Sequence, residues 1–196
     1  MKLKILQVGE PILRQPARPL SAADTLSPSI QPLIERMRDT MRDAPGVGFV
    51  APQMGLPLQL AVIEDRSEYH RDFPADQLAA RRRVPLPFHV LINPQLSIAQ
   101  ATDVTFFEGC LSLSGCVALV PRALAVQVQC LNERGEPRVM QAEGWYARIL
   151  RHEIDHLHGT LYIDRMAARS FMTSTNYTRW WQDKSVEHVR AELGVS

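Results

Sequence analysis

Residues 151–159, RHEIDHLHG, decide how the rest of the chain is read. Two histidines stand four positions apart with a glutamate beside the first, the pattern HExxH, and Gly159 closes the stretch. The surrounding periodicity predicts a helix from about Glu143 to His158. At about 100° per residue, side chains three and four apart share a face. Trp145, Ile149, His152 and His156 fall together, and Tyr146, Leu150, Glu153 and Leu157 form the neighbouring stripe. Arg148, Arg151, Asp155 and His158 fall on the remaining side, which is expected to face water, with Arg151 and Asp155 as an i,i+4 pair of opposite charge. Two imidazoles and one carboxylate therefore project into an otherwise apolar interior. A buried carboxylate needs compensation, and two imidazoles one turn apart can reach a single ion. The expectation is a metal centre on a buried helix.

Such a centre needs a further protein ligand. An extended HExxHxxGxxH pattern would require histidine at position 163, which is Ile163. Glu187 is the first downstream glutamate and lies in a polar C-terminal stretch. Upstream, FFEGCLSLSGC (106–116) offers Cys110 beside Gly109 and Glu108, and a thiolate is a strong ligand for a first-row divalent metal. Cys130 reads as a small core residue in an alternating strand and Cys116 as packing. His70, His89, His158 and His188 carry no partner pattern and read as surface residues.

The rest of the chain sets limits on function. Its 196 residues suit one domain over 1–196, with 167–196 a C-terminal tail or helix. Hydrophobic content of 45%, charged content of 22% and a formal net charge of +1 are those of an ordinary soluble protein. They give no support to a nucleic-acid coat or a membrane anchor. Three cysteines argue against a disulfide framework, and no leader pattern or long apolar run is evident, so a cytoplasmic, bacterial setting is expected over a processed organellar one. Ile30, Leu33, Ile34, Met37 and Met41 predict a second helix, capped near Ser27 and Pro28 and stopped near Ala44 by Pro45 and Gly46. LQLAVIE (58–64) and FHVLINP (88–94) read as strands, and residues 125–143 as a hairpin around NERGEP. Residues 66–87 read as an exposed excursion with a short helix in ADQLAARRR (75–83). The fold class expected is α+β, with mixed or antiparallel sheets around a central buried HExxH helix. GVGFVAPQ (46–53) reads as an edge segment, Gly46, Val47 and Gly48 included, that pairs with an extended peptide.

GVGFVAPQ, EGCLS (108–112) and HEIDH (152–156) stand in this order and resemble the three signature motifs of peptide deformylases, which remove the formyl group from N-formylmethionine at the start of new polypeptides. APGVG, GWYARIL and HGTLYIDRM extend the likeness from about Gly9 to Met166, closer to the organellar-type branch than to the commonest bacterial enzymes. The resemblance implies metal ligands at Cys110, His152 and His156, a catalytic Glu153, an oxyanion-binding Gln53, an assisting N–H at Leu111, and substrate backbone held at Gly48. It implies Fe(II), with Zn(II), Ni(II) or Co(II) as alternatives, an N-formylmethionyl peptide as substrate, and the ribosome near its exit as a partner, for a monomer or homodimer. It also suggests a Glu108–Arg122 ion pair. Val47, Phe106, Trp145 and Ile149 are the residues assigned to the pocket for the methionine side chain. Val50 stands where alanine is usual and adds bulk near the Gln53 loop; Arg151 replaces a common glutamine on the side expected to be wet.

Two other functions fit HExxH: a zinc endopeptidase in which Cys110 is incidental, and a non-catalytic metal-binding or ribosome-associated module. Cys110→Ser separates the first from a deformylase, and Glu153→Ala separates the second.

Overall fold

The computed structural model describes residues 4–71 and 73–195. Short helix α1 (Ala22–Thr25) and the longer α2 (Ile30–Asp43) precede β1 (Gly48–Val50) and β2 (Leu60–Asp65). After α3 (Ala75–Ala80) come three long strands, β3 (Leu86–Cys110), β4 (Leu113–Leu131) and β5 (Pro137–Glu143). Helix α4 (Gly144–Leu157) carries HExxH, and β6 (Met172–Thr173), α5 (Ser174–Trp180) and α6 (Val186–Leu193) complete the chain. The strands form one sheet in the order β1-β2-β3-β4-β5, with β6 added to β4. Every pairing between these strands is antiparallel.

Strand alternation explains the layering, because successive side chains point to opposite faces. Ala61, Ile63 and Leu91 pack with Ala147, Leu150 and Ile154 of α4 in one cluster. Leu60, Val62, Val90 and Ile92 pack with Leu33, Ile34, Met37 and Met41 of α2 in another. The sheet thus separates two helices, and β1, β2 and the Val90–Ile92 part of β3 are buried on both faces. That explains why LAVIED reads as a continuous apolar run before its two acids.

β3 and β4 form a long hairpin that closes at Cys110↔Leu113, so Cys110 is the last residue before a two-residue turn. The N-terminal arm braces this turn. Val8 N–H donates to Ser112 O at 2.8 Å and Gln7 Nε2 donates to Leu111 O at 3.0 Å. Leu6 N–H donates to Gln53 O at 2.8 Å, tying the Gln53 loop to the same arm.

The structure departs from the sequence-based expectations at several points. Helix α2 begins at Ile30 with Ser29, not Ser27, at its cap, and no side chain caps it. A 3₁₀ turn (Ala51–Met54) follows β1 where no helical pattern was evident. The 66–87 segment does contain the short helix, but it is docked rather than merely exposed: the Arg83 side chain is 7% exposed and pairs with fully buried Asp65. His70 lies 3.1 Å from Asp65, and His89 bonds to Tyr146 at 2.9 Å, so neither is a simple surface residue. The side of α4 expected to be wet is largely dry, with Arg148 2% and Asp155 8% exposed, and only His158 at its end is fully on the surface. A wheel sorts residues by polarity and cannot see the buried partners that make such burial tolerable.

Candidate active site

The thiol of Cys110 reaches the HExxH helix. Its Sγ lies 3.1 Å from His156 Nε2. One ligand atom from each of Cys110, His152 and His156 lies within 4.8 Å of the others. This set has the composition of a first-row metal site, one soft thiolate and two imidazoles. Beside them the buried Glu153 has an Oε2 without a hydrogen-bond partner among the described residues, as has Nδ1 of His156. Unpaired buried polar atoms are costly, and the open oxygen of Glu153 fits a site completed by a cation and its water, whereas Nδ1 of His156 lies on the far side of its ring from the thiol.

The second ring nitrogen of His152 is held from behind. Glu108 Oε2 lies 3.0 Å from His152 Nδ1, which directs Nε2 to the ligand side. Glu108 also accepts from Arg122 Nε at 2.9 Å, Arg122 Nη2 at 2.8 Å and Arg148 Nη1 at 2.6 Å. Arg122 pairs in addition with Asp155, which Arg165 Nε reaches at 2.6 Å. Burial would raise the Glu108 carboxyl, but bonds from Arg122 and His152 outweigh it and hold the group well below the carboxylate range. Glu153 is the opposite case. Burial pushes it up to about 7, with His152 pulling down and the Glu108 charge adding to the rise.

Gln53 is oriented by its own loop. Val50 N–H donates to its Oε1 at 2.9 Å, and its Nε2 donates to Ser112 Oγ at 3.1 Å and lies 3.8 Å from Cys110 Sγ. The amide NH₂ end therefore faces the thiol. Gly48 is in close approach, since a Cβ there would lie 2.1 Å from Glu153 Oε1. Any larger residue would displace the carboxylate.

A cavity of about 320 Å³ opens on these groups. Gly46, Val47, Gly48, Gln53 and Leu111 line it, as do Trp145, Ile149, Cys110, His152 and Glu153. His156 lies behind, 1% exposed. Phe106 is not in this wall. It faces a separate groove with Asp103 and Arg190, and the adjacent Phe107 lines the cavity instead. In a strand a slip of one position reverses the face, and the polar residues along β3 gave no apolar alternation from which to fix the phase. Val50 is fully buried in the core beside α4, so its extra bulk falls outside the cavity wall. Cys116 lines the cavity from β4, and Ser174 does so from the start of α5; the first was assigned to packing and the second had no sequence signal. Ser174 is brought there by β6, whose Thr173 pairs with Cys116.

Comparison with known proteins agrees with this arrangement. The polypeptide deformylase family model matches residues 2–171. Chloroplastic peptide deformylase 1A of Solanum lycopersicum is 45% identical over 172 residues, which are 88% of this chain and 62% of that protein. The chain thus spans less than two thirds of that relative. Mitochondrial peptide deformylase of Homo sapiens is 44% identical over 167 residues, 85% of this chain and 69% of its own length. Peptide deformylase 1 of Streptomyces coelicolor is 40% identical over 193 residues, 98% of this chain and 86% of its own. The Met-Ala-Ser-bound structure of a class I type b peptide deformylase from Acinetobacter baumannii superposes with a TM-score of 0.75 at 30% identity, covering 85% of this chain and 99% of that one. A cysteine sulfur from a hairpin turn meeting two histidines of a buried helix, within a match that runs over residues 2–171, places it: this chain belongs to the polypeptide deformylase family.

Proposed function

We propose that this chain hydrolyses the formyl group from N-formylmethionyl peptides, releasing formate and a free N-terminal amine. The observation that carries the reading is the convergence of Cys110, His152 and His156 within 4.8 Å, beside a buried carboxylate with an unpaired oxygen. Cys110, His152 and His156 would hold a divalent cation, which we read as Fe(II) with Zn(II), Ni(II) or Co(II) also suited, and it would supply the Lewis acidity that brings the pKa of water toward neutrality.

The remaining work falls to the chain's own groups. Glu153 takes a proton from the attacking water and returns it to the amine nitrogen as the C–N bond breaks, and a carboxyl near neutral pKa suits both transfers. Gln53 Nε2 and the Leu111 N–H donate to the formyl oxygen as it gains negative charge, each worth roughly 3 kcal/mol when well aimed. The outer edge of β1, the end strand of the sheet, receives the peptide as an added strand at Gly48, with Gly46 also lining the cavity. Val47, Trp145 and Ile149 enclose the first side chain, with Phe107 in the place first given to Phe106. A nascent chain as substrate makes the ribosomal exit the natural place of encounter, which co-sedimentation with ribosomes tests.

The decisive experiment is formate release from formyl-Met-Ala-Ser by protein loaded anaerobically with iron or nickel, beside a casein digest. Formate without casein cleavage is expected, and Cys110→Ser abolishes metal content and activity together. Background formate with full metal loading overturns the reading.

A further inference from the structure

Trp145, one wall of the cavity, is held from outside the cavity by the 66–87 segment. Its backbone N–H donates to Arg81 O at 2.8 Å. A Cβ on the preceding Gly144 would lie 2.7 Å from that same oxygen, so the two backbones are in direct contact. Above the indole, the guanidinium carbon of Arg83 is 5.3 Å and that of Arg81 is 5.9 Å from the ring centroid. Both distances are within reach of cation–π attraction, which grows when the cation is shielded from water. Neither arginine is among the cavity-lining residues.

Arg83 is fixed by a fork of bonds, Nε to Asp65 Oδ2 at 2.8 Å and Nη2 to Asp65 Oδ1 at 2.9 Å. Asp65 is fully buried at the end of β2, so the guanidinium is referenced to the sheet itself. Phe73, on the same segment, lies 5.0 Å from the Arg83 guanidinium and 5.9 Å from that of Arg81. An arginine locked in this way is a rigid backing, and a planar fork loses little freedom per bond formed. Arg148, 5.9 Å from the ring centroid, and the edge-on Phe106 at 6.4 Å also touch the indole, so Arg83 and Arg81 fix its tilt from the side of the 66–87 segment rather than hold it alone.

We propose that Arg83, locked by Asp65, together with Arg81, positions the Trp145 indole and thereby sets which first side chain the cavity accepts. This rests on the deformylase reading above. The two arginines are positioning residues, acting through Trp145. A structural role alone would lower stability without changing selectivity between substrates.

The test compares formyl-Met-Ala-Ser with formyl-Ala-Ala-Ser. Arg83→Met, which keeps the stem and removes the fork, is expected to reduce the ratio of kcat/KM for the two peptides about tenfold, carried by KM, with kcat within about twofold. In a Trp145→Ala background the same substitution leaves the ratio unchanged. Arg81→Met, whose guanidinium Nη1 bonds to Gln77 O at 3.1 Å, gives the same direction and serves if the Arg83 variant does not fold. The chain has three tryptophans, so Trp180→Phe and Trp181→Phe together isolate the Trp145 signal. In that protein Arg83→Met is expected to increase acrylamide quenching of the remaining indole. An unchanged ratio, an equal fall in the Trp145→Ala background, or unchanged quenching overturns the proposal. Formate release by the unmodified protein reports on the deformylase reading alone, and quenching reports on the indole whether or not formate is released.

Discussion

The two sides of α4 bury carboxylates at nearly the same depth and treat them in opposite ways. Glu108, 6% exposed, faces the helix from β3 and receives four hydrogen-bond contacts from Arg122, Arg148 and His152. Glu153, 4% exposed, projects from the helix toward the cavity and keeps one oxygen unpaired among the described residues. Desolvation acts on both; the difference lies in fixed partners. A charge that must stay put is surrounded by cations that cannot leave, and its proton is never in play. A group that must gain and lose a proton is left open on the side where ligand arrives, and burial brings its pKa up to about 7.

The comparison breaks first at Glu153. Glu153→Gln is expected to lower kcat about 10⁴-fold, while metal content and melting temperature hold, as read by formate release, metal analysis and calorimetry. Loss of metal in step with activity would place Glu153 among the ligands instead.

Next comes the compensated side. Arg122→Met strips partners from both Glu108 and Asp155, and a loss of about 4 kcal/mol in urea unfolding is expected because two buried carboxylates lose a cation. A loss below about 1 kcal/mol would mean that Arg148 and Arg165 suffice, and that the pairing is redundant.

Gly48→Ala sharpens the contrast by pressing on the uncompensated side alone. The added Cβ would meet Glu153 at 2.1 Å, and kcat/KM is expected to fall about 100-fold with little change in unfolding. Retained activity would show that the carboxylate can move aside and still transfer protons.

The smallest effect belongs to a pair nearer the surface, Glu64 with Arg42, at 2.7 Å with side chains 11% and 38% exposed. The bond from Arg42 lowers the Glu64 pKa below its ordinary 4.5. A depressed carboxylate stabilises the fold above its unfolded pKa, and that contribution is lost as pH falls through the folded one. Arg42→Ala should therefore flatten the acid limb of stability below about pH 4.5 by less than about 1 kcal/mol, given the exposure of the arginine. An acid limb that is unchanged would mean that the pair adds nothing to stability.

Much of the site was legible because its residues obey a short period. His152, Glu153 and His156 occupy adjoining helical stripes, and the apolar residues around them told that those stripes face inward. Cys110 came from the chemistry of thiolates and from the motif around it. Other features had no local trace. Arg148 and Asp155 looked like solvent residues since their partners, Glu108 and Arg122, lie 40 and 33 positions away. Arg83 looked like part of a basic excursion, although its acid stands 18 positions earlier, at the end of a strand. Phe106 and Phe107 differ by one step, and only the pairing of β3 with β4 says which one turns toward the cavity.

What the amino-acid order determined alone is therefore the helix, the inward direction of its two histidines and glutamate, and the stop at Gly159. These follow from bonds and contacts within a few residues. The tertiary structure decided which charges are compensated, which aromatic ring forms a wall and what holds it there. Each of those depends on a partner brought close by sheet pairing, and the energy of a buried charge is set by that partner and not by its neighbours in the chain.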